Sequence, residues 1–241
     1  MKKNRKWTTT LICLLCVALL AGCGSSKSPE EEMPEEPVPG PSAGGWTVST
    51  EPVSPVIPEE AREAFDAALA GLTGAKYEPV AYLGSQVVAG LNFGFLCRVS
   101  AVTPQAEAKL CVVKVFRDLE GNASILDTKD VTITDYVNAG EVSFTPGDLA
   151  GGWSLTPDME SAALPEDVQT AFDKAMADFS GVGYHPLAYL GSQVVAGSNY
   201  AVLCNAVTVT AQPQSALAVV VIYADLEGGA QVTSVSGFDF P

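Results

Sequence analysis

From residue 45 onward the chain is written twice. Gly45 and Gly152, Trp46 and Trp153, Pro58 and Pro165, Phe65 and Phe172, Tyr77 and Tyr184, Gln86 and Gln193, Cys97 and Cys204, and Asp118 and Asp225 all recur at one spacing (152 − 45 = 107), with no gap between them. A repeat of roughly 100 residues has the usual size of a domain. Two such long copies do not make a solenoid of short stacked units. The fold problem is therefore one unit used twice. Between the landmarks the copies have drifted, Leu91 to Ser198 and Arg98 to Asn205, yet the ten residues AYLGSQVVAG stand unchanged at 81–90 and 188–197. Each copy ends in an apolar turn, Val87, Val88, Ala89, Gly90 and Val194, Val195, Ala196, Gly197, where Asn, Asp, Pro or Ser would be usual. Two readings are open: a surface that meets a partner, or a scaffold turn whose side chains fold back on a sheet.

Within a copy, Pro58 and Glu59 start a helix on which Ala61, Phe65, Ala68, Leu69 and Leu72 share a face; Val168, Phe172, Ala175, Met176 and Phe179 match them in the second copy. Gly74 and Gly181 follow as candidate caps. Strands are expected near 77–87, 92–103, 109–117 and 124–133, separated by VAGL, TPQAEA and LEGNA. Cys97, Val99 and Ala101, then Cys111, Val113 and Val115, alternate onto one face, with Arg98 and Lys114 on the other. The expectation is one face against the helix and the other in water. Each copy is thus an α+β unit, a single helix across an antiparallel sheet of four or five strands.

The six cysteines and one histidine leave little room for metal chemistry: no Cys-x-x-Cys pair lies beyond the first 23 residues, and His185 stands alone. If the intervening turn centres on Pro104, Cys97 and Cys111 face each other across a hairpin, as a disulfide or as two buried small hydrophobes. Cys204 would face Ala218, so a bridge would not repeat. Ser85 and Ser192 sit in Gly-Ser-Gln, which is not a nucleophile elbow, and a histidine absent from the first copy cannot serve as a repeated base. No phosphate-binding glycine loop occurs, since Gly228 and Gly229 read as hairpin-turn residues. The expectation is a protein that is not an enzyme and needs no cofactor.

Lys2, Lys3, Arg5 and Lys6 precede an apolar run from Leu11 to Ala21, short for a bilayer span. The run closes on Leu20, Ala21, Gly22, Cys23, which resembles the lipobox of bacterial lipoproteins. That resemblance implies a signal peptide over residues 1–22 and lipid on Cys23; an uncleaved anchor is the alternative. Residues 23–43 are then the lipidated cysteine and a Pro/Glu/Ser-rich linker without core periodicity, able to reach up to ~60 Å when extended. Without residues 1–22 the charge is 9 − 28 = −19. No basic patch exists to displace counterions from a polyanion, so nucleic acid is not an expected partner.

The order helix, strand, Gln-Val-Val-Ala-Gly turn, strand, hairpin, strand is similar to the cystatin superfamily of cysteine-protease inhibitors. Gln86 to Gly90 and Gln193 to Gly197 match the signature turn without a mismatch, followed by Asn92 and Phe93 or Asn199 and Tyr200. A glycine pair, Gly44 and Gly45 or Gly151 and Gly152, stands about forty residues upstream, where the family has the glycine of its inhibitory trunk, and VFRDLEGNASIL at 115–126 resembles a stefin-type second hairpin. The resemblance implies two tandem cystatin-like domains, at 44–146 and 147–241. It also implies noncovalent obstruction of papain-like proteases by the trunk, the first turn, and the second hairpin at Leu119, Glu120 and Leu226, Glu227. The Pro-Trp pair of many cystatins is absent from that hairpin, as in stefins. Trp46 and Trp153 directly after the glycines could anchor the trunk or close over the edge of a core. The leading expectation is a monomeric, lipid-anchored surface inhibitor of cysteine proteases; the alternative is a noncatalytic interaction or spacer module.

Overall fold

The computed structural model describes residues 45–48, 56–103, 108–137, 153–155, 163–177, 179–238 and 240. Residues 1–22 (the expected signal peptide), Cys23, the expected linker to residue 43, Gly44, Pro104, Gly151 and Gly152 lie outside them. Among the described residues no helix is long and apolar enough to cross a membrane.

Each repeat holds one eleven-residue helix, α1 (Glu59–Leu69) or α2 (Glu166–Met176). Pro58 and Pro165 stand at the N-caps, where a missing amide hydrogen costs nothing, and their carbonyls accept from Arg62 N at 2.9 Å and Gln169 N at 2.8 Å. Acidic first turns, Glu59 and Glu60 or Glu166 and Asp167, complement the helix dipole. Ala61, Ala64 and Phe65 are buried, as are Val168, Ala171, Phe172 and Ala175. Leu72 and Phe179 fall beyond the helix ends and are about half exposed, at 46% and 45%, so the expected apolar face is one turn too long. Gly74 and Gly181 are not helix caps either. They lead into the next strand, and their carbonyls accept from Val102 N at 3.1 Å and Val209 N at 2.9 Å.

The first sheet is a five-stranded antiparallel meander in the order β1 (Trp46–Thr47), β2 (Ala75–Val88), β3 (Gly90–Ala101), β4 (Lys109–Arg117) and β5 (Ala123–Val131). A 3-10 turn, Ile133–Asp135, follows. The second sheet repeats the plan with β6 (Trp153–Leu155), β7 (Val182–Val195), β8 (Gly197–Thr208), β9 (Ser215–Ala224) and β10 (Ala230–Gly237). Proline lacks an amide hydrogen for the ladder. The register of β2 shifts at Pro79/Ala81 and again at Tyr82/Gly84, and β7 shifts at the matching Pro186/Ala188 and Tyr189/Gly191.

One face of each sheet meets its helix as expected, except that Ala101, the last residue of β3, is exposed. Cys97, Val99, Cys111, Val113 and Val115 pack with Phe93 and Phe95 beneath Ala61, Ala64 and Phe65, the Phe65 and Phe95 rings 4.9 Å apart. The second repeat does the same with Val202, Cys204, Val220 and Ile222 under α2. The opposite face overturns the expectation of water. Val80, Ala81, Leu83, Leu96, Leu110, Val112 and Val131 share one apolar cluster with Leu187, Ala188, Leu190, Leu203, Leu217, Val219 and Phe238, their counterparts 107 residues on. The two sheets therefore bury each other. Each such aliphatic side chain contributes roughly 1.5–3 kcal/mol relative to exposure, so this second core rivals the helical ones. Arg98 and Lys114 tolerate this side because they are paired, with Glu78 at 3.4 Å and Asp127 at 3.8 Å. Asn205, which replaces Arg98 in the second repeat, is fully buried and accepts a hydrogen bond from Ser215 Oγ.

Cys97 and Cys111 are register partners on β3 and β4, as the hairpin argument required, and stand as free thiols within the helical core. Burial pushes both up, Cys111 to about 12 with help from its hydrogen bond to Asp130 Oδ1 at 3.2 Å. Cys204, opposite Ala218, is likewise free, and burial raises its pKa.

Candidate functional site

The repeated turn closes the β2–β3 hairpin. Val87 pairs with Leu91 and Val88 with Gly90, which leaves Ala89 alone at the apex. Val88 is 41% exposed, and Ala89 is exposed. At the second tip Val194 is 67% exposed and Val195 40%, with Ala196 exposed between Val195 and Gly197. Val88, Ala89, Val194, Val195 and Ala196 thus stand out from the sheet, whereas Val87 is half-buried.

Behind each tip the glutamine braces the hairpin from within. Asn92 Nδ2 donates to Gln86 Oε1 at 2.7 Å, and Asn199 Nδ2 donates to Gln193 Oε1 at the same distance. Both pairs sit at directly opposed positions of the two strands, where side chains are close enough to bond.

Alongside lies the β4–β5 turn, built on one carboxylate. Asp118 Oδ1 accepts from Glu120 N at 2.9 Å and Asn122 N at 2.8 Å, while Oδ2 accepts from Asn122 Nδ2 at 2.9 Å. The Asn122 side-chain bond, with the backbone bonds after it, holds the Asp118 carboxyl below the usual carboxylate range. Asp225 repeats the plan, taking Glu227 N at 2.9 Å and Gly229 N at 2.8 Å. Tied back in this way, the turns thrust Leu119 and Leu226 outward, each 86% exposed, beside exposed Glu120 and Glu227.

The two turns of a repeat are locked together at one glycine. Gly90 has φ +129°, and a Cβ there would lie 2.3 Å from Arg117 O and 3.2 Å from Asp118 Cα; at Gly197 (φ +121°) it would lie 2.3 Å from Ala224 O and 3.2 Å from Asp225 Cα. Only glycine permits both this torsion and this approach. In the second repeat the Tyr223 hydroxyl also donates to Ala196 O at 2.5 Å. Its counterpart Phe116 has no hydroxyl to offer.

The start of β1 is at the same end of the sheet. Trp46 pairs with Gln86 and Thr47 with Ser85, so Gly45 leads off beside the first turn, exposed. Trp153 opposes Gln193 in the same way. Among the expected site residues, the structure thus gathers Gly45, Gln86 to Gly90, Leu119 and Glu120 at one edge, and Gln193 to Gly197, Leu226 and Glu227 at another. As for the tryptophans, Trp153 packs against the intersheet core and Trp46 meets Phe240 edge-on, their ring centroids 4.4 Å apart.

The two edges are well separated. Gly45, Trp46, Thr47 and Val48 line an open groove of about 620 Å³ with Pro213, Gln214 and Ser215, which lie at the far end of the β8–β9 hairpin from Gly197. The twelve residues of β8 place the second tip about 40 Å from that hairpin end.

Along α2 an open groove of about 610 Å³ is lined by Glu166, Asp167, Lys174 and Tyr200, within which Tyr200 Oη donates to Asp167 Oδ2 and Lys174 Nζ to Gly228 O. Ser85 and Ser192 are half-buried within β2 and β7, as is His185 within β7. Among the described residues no three His, Cys, Asp or Glu side chains converge as metal ligands. The sequence marks Asp118 and Asp225 only as repeat landmarks and gives Tyr223 no role, although a repeated Asp before Leu-Glu-Gly is a signal for a side-chain-held turn. No protein-family model matches the chain, and no curated protein matches it in sequence.

Proposed function

We propose that the chain is an exported lipoprotein, anchored through Cys23, whose two cystatin-like repeats inhibit papain-like cysteine proteases reversibly and without covalent chemistry. One observation supports this above the rest: an exposed apolar turn, a second turn bearing a bare leucine, and the start of β1 stand together at the same end of a sheet, twice. Such an edge is a narrow wedge of apolar tips on a rigid base, suited to a cleft rather than a flat surface. Each valine that a cleft takes from water contributes roughly 1.5–3 kcal/mol before the cost of association. The Gly90 seat and the Gln86 brace lower that cost by fixing the turn in advance. Glu120 and Glu227 bias the choice toward clefts with neutral or cationic rims. The long acidic tether and an acidic chain fit a soluble head held off a membrane, not a nucleic-acid binder.

The test is titration of papain and a cathepsin-type protease with the full chain and with Val87→Asp/Val88→Asp and Val194→Asp/Val195→Asp. Saturable inhibition is expected, with each pair of changes weakening its own site at least ~100-fold and the four together abolishing it. No inhibition at micromolar protein, or inhibition indifferent to all four changes, would refute the reading and leave the chain as a non-inhibitory interaction module.

A further inference from the structure

The trunk of the first repeat is held by a residue of the second. Phe240, past the end of β10, meets Trp46 at 4.4 Å with the rings tilted by 65°. Its ring also fills the place where a side chain on Gly94 would be: a Cβ there would lie 1.9 Å from Phe240 Cζ. Gly94 is therefore a notch in β3, cut to the ring that clamps Trp46. The corresponding position in the second repeat is Ala201, fully buried, and the counterpart of Phe240 is Ile133, buried in the intersheet core. The notch, the ring and the edge-on pair thus belong to the first repeat alone.

β1 is only two residues long. A strand that short has little cooperativity of its own, and its placement depends on what its side chains hold. With Gly45 directly before Trp46, whatever fixes the indole also fixes the exposed glycine at the wedge. We propose that Phe240 is a positioning residue for the first repeat's binding edge, so that a residue beyond β10 sets the trunk of the opposite repeat in its inhibitory position. This rests on the protease-inhibitor reading for its functional half; the clamp itself does not.

The experiment uses the full chain in two backgrounds. Val194→Asp/Val195→Asp leaves the first edge as the sole inhibitor, and Val87→Asp/Val88→Asp leaves the second. Into each go Phe240→Ala and, separately, Gly94→Ala, which evicts the ring without altering Phe240 or Trp46. Amide exchange over residues 45–48 and inhibition of papain are measured. Both substitutions are expected to speed exchange at Trp46 to Val48 and to weaken the first edge by about tenfold while leaving the second edge within twofold. Unchanged exchange would overturn the clamp. Faster exchange with unchanged inhibition at the first edge, or an equal loss at both edges, would overturn the positioning role. If the first background alone fails to inhibit, the positioning role falls; if neither background inhibits, the inhibitor reading falls as well, and exchange alone decides the clamp.

Discussion

Replacing Gly90 with alanine tests whether the two turns of a repeat form one rigid body. Two costs arise together. The backbone torsion of +129° lies where side chains are strained, at about 1–3 kcal/mol. The new Cβ would also meet backbone on its far side, Arg117 O at 2.3 Å and Asp118 Cα at 3.2 Å, neither of which can swing away as a side-chain end would. Forcing that contact open adds about 1–3 kcal/mol. A total near ~4 kcal/mol corresponds to a fall in melting temperature of ~8–16 °C for a chain of this size. Gly121→Ala is the internal control. Gly121 has a positive φ, +90°, but nothing within 4 Å of its would-be Cβ, so only the torsion is charged, about 1 kcal/mol and ~2–4 °C. Thermal unfolding followed by circular dichroism reads the difference. If Gly90→Ala melts no lower than Gly121→Ala, the carbonyl seat does not join the turns, and the rigid-wedge argument fails with it.

Tyr223→Phe should cost about 0.5–1.5 kcal/mol and speed amide exchange at the second tip only, whereas Phe116→Tyr should slow exchange at the first; equal exchange at the two wild-type tips would contradict this. Phe65→Ala, in a side chain 2% exposed and packed against Phe95 with the rings tilted by 60°, should destabilise by about 3–5 kcal/mol in urea unfolding. Acid should loosen the β4–β5 turn. The folded Asp118 pKa is depressed, so its bonds are fully present above the ordinary carboxylate pKa and are lost as pH falls through the folded value, visible as faster exchange at Glu120 and Asn122 below about pH 4. Buried Cys97, Cys111 and Cys204 should resist an aqueous thiol reagent until the protein is denatured, when three thiols beyond Cys23 should react.

Much of one repeat was legible because local rules governed it. Pro58 before two glutamates marks a helix start, and the alternation of Cys97, Val99, Cys111, Val113 and Val115 marks the face beneath the helix. The second core escaped for a physical reason. Leu96, Leu110 and Val112 share their side of the sheet with Arg98 and Lys114, and a single repeat offers that side no partner but water. Only two repeats taken together supply one. The signal lay in β9, SALAVVVIYA, whose unbroken apolar run marks a strand covered on both faces. Tertiary placement likewise hid the clamp: Trp46 and Phe240 are 194 residues apart (240 − 46 = 194), and nothing local to either announces the other. The tips were the easier part, since their unusual composition needed only exposure to become meaningful.

The intersheet core has a further property. Val80 and Leu187, Leu83 and Leu190, Leu96 and Leu203, Leu110 and Leu217, and Val112 and Val219 enter it as equivalent pairs, so both halves present the same patch to each other. That is the isologous interface of a twofold homodimer, here with its subunits joined in one polypeptide. A half expressed alone would leave that patch bare and would find the same mate in a second copy of itself. Concentration would then control what the covalent connection now secures at any dilution.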